Sequence, residues 1–177
     1  MKLLAPQTLF KLTHPNAKLP TLAHGDDAGY DLYSIDDITI NPMQRVIVRT
    51  GLTMALPKMQ YMVLGELKDS THGIVDPGKQ FVQTTLVEVA FEAQVRPRSG
   101  NAFAYGLAVL NSPGTIDAGY RKEVGVILIN MSDTPHHIKV GDRIAQMIFS
   151  LAMHPELLLV DVLPDSERKY GFGHTGD

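Results

Sequence analysis

An all-β fold is what this chain predicts, and three observations carry that expectation. Apolar and polar residues alternate with a period of two rather than 3.6, most cleanly from Val87 to Arg96. Turn-forming clusters recur at short intervals: Asn41-Pro42, Asp76-Pro77-Gly78, Ser112-Pro113-Gly114, Ser132-Asp133-Thr134-Pro135 and Val140-Gly141-Asp142. No stretch offers a long amphipathic helix. Short strands with frequent turns predict a sandwich, jelly roll or barrel.

The elements follow in chain order. Ala28 to Ser34 reads as a strand in which Asp31 is flanked by apolar residues. Its carboxylate is expected to be paired, at an edge, or beside the water shell of a bound cation. Arg45 to Thr50 reads as a strand. Tyr61 to Leu67 and Gln80 to Val89 read as two strands around the turn at Asp76-Pro77-Gly78. From Val87 onward, Val87, Val89, Phe91, Ala93 and Val95 share one face, while Glu88, Glu92, Gln94 and Arg96 share the other. That pattern describes a half-buried antiparallel strand. Ser99 to Tyr105 is expected to form one or two helical turns. Asn111 to Tyr120, with the strand Val124 to Asn130, reads as a hairpin. His136 and His137 point to opposite faces of a strand, so they make no metal pair. In Arg143 to Phe149 the alternation places Ile144, Gln146 and Ile148 on one face and Arg143, Ala145 and Met147 on the other.

Composition narrows the function classes. The 177 residues are 44% hydrophobic and 20% charged, which excludes a disordered chain. There are 15 Gly and 11 Pro, in keeping with many strand reversals. With no Cys, disulfides and thiolate zinc sites are excluded. No run of roughly 18 apolar residues predicts a membrane span. The opening apolar run breaks at Pro6 and Gln7, too short for a signal peptide, so a cytoplasmic location is expected. The net charge of -3 provides no broad cationic field for long nucleic acid, though a few local groups can hold a small anion. The length fits one domain spanning 1–177.

Several clusters carry candidate chemistry, and each has an ordinary structural account beside the functional one. Arg98 can fork onto phosphate oxygens, with Ser99 and the amides of Ser99 and Gly100 completing an anion site; the plain alternative is a solvated strand exit. Asp117 is either a turn carboxylate or a general base for water. Tyr120 closes a sugar pocket or fills the core. Gln146, a polar residue between apolar neighbours, needs partners from a ligand or the backbone. At the C-terminus, Gly171, Gly173 and Gly176 bare backbone amides suited to phosphate, Thr175 adds a hydroxyl, Arg168 and Lys169 add charge, and Phe172 offers a stacking face. The plain alternative is a glycine-rich tail.

Their combination and order resemble the trimeric dUTP pyrophosphatase (dUTPase) family. Its five motifs read here as AGYDLYS (28–34), RPRSG (96–100), NSPGTIDAGYRKEV (111–124), GDRIAQMI (141–148) and RKYGFGHTG (168–176). The resemblance implies a jelly-roll-like β-barrel, a homotrimer whose sites collect motifs from more than one subunit, and Mg²⁺-dependent hydrolysis of dUTP to dUMP and pyrophosphate. That reaction clears dUTP from the nucleotide pool and supplies dUMP for dTTP synthesis. It implies that Asp117 activates the water attacking the α-phosphorus. Asp31 holds a water of the Mg²⁺ shell, with the metal mainly on the triphosphate. Arg98, Ser99, Gly100 and Gln146 bind phosphates. Asn111, the backbone of Gly114, Thr115 and Ile116, and Gly125 read uracil, and Tyr120 lies under the deoxyribose. Phe172 stacks on uracil as a C-terminal arm, about 164–177, closes. Gly173, His174, Thr175 and Gly176 line the γ-phosphate.

Two departures from the family pattern stand out. Arg168 is four residues before Phe172, where the family has five, so Arg168 and Lys169 compete for the γ-phosphate role. The segment 60–90 is extra and predicts an inserted β-hairpin, either a surface elaboration or a protein-partner site. A dCTP deaminase shares the fold and middle motifs, but it carries Glu three residues before the Asn that ends the post-turn strand. Here that Asn is Asn130 and the position holds Ile127. The other rival is a nucleotide-responsive regulatory protein that uses the hairpin.

Overall fold

The computed structural model describes residues 7–57, 60–67 and 82–166, with 60–67 and 82–88 described by backbone alone. Antiparallel pairing organises all the strands among these residues. β1 (Leu9–Leu12) pairs with β5 (Leu52–Ala55), and β3 (Ile38–Ile40) with β11 (His136–Ile138). β4 (Arg45–Arg49), β10 (Gly125–Asn130) and β8 (Leu107–Val109) form a three-stranded sheet with β10 central. The largest sheet runs β2 (Tyr30–Tyr33), β12 (Arg143–Met153), β7 (Val82–Arg96), β6 (Gln60–Leu67), and β9 (Gly114–Ile116) also pairs with β7. These small sheets enclose one apolar core in the expected jelly-roll-like manner. Leu32, Ile40, Val48, Leu52, Leu128 and Met147 are all but fully buried. Each such side chain contributes about 1.5–3 kcal/mol.

The core also takes in polar groups, and each is satisfied. Asn130 is fully buried. Its Nδ2 donates to the carbonyls of Ile40 (2.9 Å) and Thr134 (2.7 Å), and its Oδ1 accepts from Ser132 N–H and Oγ. Thr50 donates to Val124 O at 2.6 Å. Among the described residues no buried side-chain nitrogen or oxygen lacks a partner, as burial of polar groups requires.

β7 is the spine of the large sheet. From Val82 onward, the two strands read as Gln80 to Val89 and Val87 to Arg96 are this one strand; Gln80 and Phe81 lie outside the described residues. β12 covers one edge from Val89 to Arg96. On the other edge β6 pairs with Val82 to Val89, and β9 with Ala93 to Val95. Val89, Ala93 and Val95 are buried as the alternation predicts. β6 and β7 pair antiparallel; the turn expected between them at Asp76-Pro77-Gly78 lies outside the described residues. The helix α1 (Ser99–Tyr105) follows directly. It ends at Gly106, whose φ of 64° is the left-handed conformation that suits glycine as a helix stop.

Two expectations are corrected. The stretch 111–130 is not a simple hairpin: β10 pairs with β8, Leu128 opposite Val109, while β9 between them leaves to join β7. β9 buries Gly114 and Ile116 and exposes Thr115, so an open edge of β7 suits it. The second correction is in β12. A bulge between Arg143 and Ala145 sets Arg143 opposite Tyr33 and Ala145 opposite Leu32. The extra residue moves Arg143 off the face of Ala145 and Met147, which are fully buried, and sends it to the face of Gln146. Without the bulge a guanidinium would enter the core. Beyond β12 the chain leaves Leu157, Leu159 and Val162 at 89%, 101% and 82% exposure. Among the described residues no helix is long and apolar enough to cross a membrane.

Candidate functional site

The candidate residues gather in two clefts. The first lies where β2, β12, the end of β7 and the start of α1 meet. Asp31 and Gln146 stand opposite each other in the β2–β12 register. Asp31 is only 6% exposed, and of the readings its sequence left open, pairing is what is found. Arg98 Nε donates to its Oδ1 at 2.7 Å and Arg143 Nη1 to its Oδ2 at 3.1 Å. Its N–H donates to Thr21 O. Gln146 Nε2 donates to Pro97 O at 2.9 Å, so the backbone supplies one of its partners. Its Oε1 lies so close to Gly29 that a Cβ there would overlap it. A cleft of about 220 Å³ is lined by Gly29, Asp31, Arg98, Ser99, Gly100 and Gln146. Ser99 and Gly100 are exposed, and Gly100 opens onto free space.

One carboxylate against two guanidiniums leaves a net positive charge beside this cleft. Arg98 uses only Nε on Asp31, which leaves both its Nη nitrogens without a protein partner among the described residues. A groove with free guanidinium donors, a hydroxyl and a carboxamide is built for oxyanions.

The second cleft, about 160 Å³, is lined by Asn111, Gly114, Thr115, Ile116, Asp117, Tyr120 and Gly125, with Val95, Val124 and Ile127 beneath. Every residue predicted to read the base or activate water is therefore here. β9 pairs only with β7 among the described residues, so its outer edge offers unpaired backbone groups. Gly114 sits so close to Asn111 that a Cβ would come within 3.0 Å of its Nδ2. The Tyr120 hydroxyl donates to Glu123 O at 2.8 Å, which fixes the ring across the mouth. Tyr120 N–H donates to Asp117 O, closing a turn through the backbone. The Asp117 carboxylate is exposed and has no protein partner among the described residues.

The two clefts share no lining residue: Asp117 lines the second, and Arg98 and Asp31 line the first. Arg168, Lys169, Phe172, Gly173, His174 and Thr175 lie outside the described residues. Two residues that sequence reasoning missed bear on the first cleft: Gly29 lines it, and Arg143 reaches its Asp31 from a neighbouring cleft. Strict alternation puts Arg143 on the opposite face because it cannot reveal the bulge between Arg143 and Ala145. Gly29, two residues before Asp31, carried a readable signal: a glycine on the same strand face as a buried polar residue marks a close approach.

Comparison with known proteins follows the same lines. A family model described as dUTPase matches residues 15–66 and 65–176. A deoxyuridine 5'-triphosphate nucleotidohydrolase of Picosynechococcus sp. is 40% identical over 169 residues, covering 95% of this chain and 96% of that protein. In fold, the chain is similar to a Staphylococcus bacteriophage 80alpha dUTPase solved with dUpNHpp, at TM-score 0.73 and 23% identity, covering 96% of this chain and 98% of the other. It is also similar to a mutant dUTPase from phage phi11 of S. aureus, whose structure is described as detailing a structural Mg(II) ion. There the TM-score is 0.68 at 19% identity, covering 90% of this chain and 99% of the other.

Proposed function

The chain belongs to the dUTPase family, and from that premise we propose how its residues hydrolyse dUTP to dUMP and pyrophosphate. The observation that carries the reading is the division of labour between the clefts. One offers backbone edges, an amide and a tyrosine ring around an unpartnered carboxylate. The other offers the Nη groups of Arg98, without a protein partner among the described residues, beside the Ser99 hydroxyl and the Gln146 carboxamide. A nucleoside suits the first and a polyphosphate the second.

In this reading the outer edge of β9 and Asn111 read uracil. A rigid backbone edge leaves its own groups unpaired against the wrong exocyclic group, and such mismatches reach discrimination of about 10⁴. Tyr120, tied down through its hydroxyl, lies under the sugar and leaves no room for a 2′-hydroxyl. Asp117 accepts the proton of the water that attacks the α-phosphorus. Arg98, Ser99, Gly100 and Gln146 neutralise and orient the phosphates, which is most of what phosphoryl transfer asks of a protein. Phe172 covers the base, while Arg168 or Lys169, with Gly173, His174 and Thr175, closes over the γ-phosphate and excludes bulk water.

Magnesium fits this donor set in one way. No group of three His, Asp or Glu side chains among the described residues is placed to hold a metal. Both Asp31 oxygens meet arginines, yet a carboxylate has roughly four acceptor sites, so about two remain, enough for a metal-bound water. Mg²⁺ held by the triphosphate and touching Asp31 through water matches the ion's habit of keeping its waters. When bound, it supplies charge neutralisation on the phosphate oxygens.

We read the working form as a homotrimer, within which each 177-residue chain is a single domain. The separation of Asp117 from Arg98 supports it, because a complete site then combines copies. The small nucleoside cleft supports it too, being below the roughly 300–1,000 Å³ of self-sufficient ligand pockets. The exposed Leu157, Leu159 and Val162 also ask for a covering copy. The deaminase alternative is not favoured: Ile127, at the place of that family's Glu, lines the nucleoside cleft and brings no carboxylate.

Release of pyrophosphate from dUTP, dCTP, dTTP and UTP in the presence of Mg²⁺ tests the assignment. Only dUTP should turn over well. Ammonia release from dCTP, or comparable turnover of all four, would overturn it.

A further inference from the structure

The geometry points to Arg143 as a positioning residue that acts on the phosphates through Asp31 and Arg98. The proposal rests on the dUTP reading above and assigns a role to a residue that reading does not use. Asp31 bridges the two arginines: Oδ1 takes Arg98 Nε at 2.7 Å and Oδ2 takes Arg143 Nη1 at 3.1 Å. Asp31 and Arg98 both line the phosphate-type cleft, but Arg143 does not. Arg143 lines instead a neighbouring cleft with Tyr105, His136 and Lys139, and its side chain is 47% exposed. It reaches Asp31 from that neighbouring cleft, which Arg98 also lines.

The fold spends a bulge on this contact. The extra residue in β12 sets Arg143 opposite Tyr33, two residues from Asp31 on the same strand face. The Arg143 carbonyl also accepts from Asn101 Nδ2 at 2.9 Å, which ties the first turn of α1 to the bulge. Arg143 thus holds both the carboxylate that orients Arg98 and the helix that begins beside it. A carboxyl torsion is broad and roughly two-fold, so a single hydrogen bond fixes it poorly. A cation on the second oxygen locks it, and the Nε contact then holds Arg98 at the cleft wall with both Nη groups left for an anion.

A double-mutant cycle tests the coupling. Arg143→Gln should raise KM for dUTP and Kd for dUpNHpp by about tenfold each, with kcat within about twofold, as expected for lost ground-state and transition-state binding alike. In an Arg98→Gln background, read through dUpNHpp binding, the same change should raise Kd by less than about twofold. Arg143→Lys, which keeps a cation on Asp31, should recover most of the loss. Equal losses in both backgrounds, an unmoved Kd, or a lysine variant as weak as the glutamine one would each overturn the proposal. Failure of the wild-type chain to bind dUpNHpp would instead bring down the dUTP reading itself.

Discussion

At the scale of single residues, charge placement separates groups that hold the fold from groups that serve the clefts. Asp36 belongs to the fold. It accepts from Arg49 three times, at Nε (2.9 Å), Nη2 (2.6 Å) and the backbone N–H (2.8 Å). Burial pushes its carboxyl up, but those hydrogen bonds and the Arg49 charge hold it below the usual carboxylate range. Unfolded chains therefore bind the Asp36 proton more readily than folded ones. Its stabilisation is complete above the unfolded value of roughly 3.9 and drains away as pH falls through the lower folded value. Denaturant titrations from pH 7 to pH 2 should show Asp36→Asn less stable than wild type at neutral pH, with the gap closing below about pH 4. A gap that persists unchanged at pH 2 would show that Asp36 acts by shape and not by charge. Asp117 is the opposite case: exposed, without a protein partner among the described residues, and lining the cleft that the proposed reading gives to the nucleoside.

At the scale of elements, β7 shows what each segment contributes. β6 pairs only with its distal half, Val82 to Val89, while β12 and β9 hold the half that leads to Arg98. Removing residues 62–85 should therefore leave turnover of dUTP within about threefold and leave the oligomer unchanged by gel filtration, since loop and edge changes far from a site are tolerated. Loss of turnover or a shift to monomer would make the hairpin part of the working scaffold. The same strand shows why much of the fold was legible. Alternation gave the buried face of Val89, Ala93 and Val95, and turn residues gave the boundaries, because both are local consequences of a half-buried strand. The departure of β9 to β7 was not legible, since partner choice at a sheet edge depends on residues far away in sequence. Nor was the bulge in β12, which changes the facing of Arg143 without altering its composition. The candidate site was legible as residue types in order; its division between two clefts required the three-dimensional placement of β9.

At the scale of the whole molecule, the chain looks unfinished alone. An apolar stretch carrying Leu157, Leu159 and Val162 stands in solvent, and the carboxylate that would activate water lies in a different cleft from the arginine that would hold the phosphates. Both features are resolved if copies complete each other. The central claim, that Asp117 of one copy works with Arg98 of another, is open to subunit mixing. Asp117→Asn and Arg98→Gln chains should each be nearly inactive on dUTP. Unfolded together in equal amounts and refolded, they should regain about a quarter of the wild-type rate, because random assembly gives that share of sites both intact residues. If the mixture stays as inactive as its parts, Asp117 and Arg98 serve within one chain, and the account of a shared site is wrong.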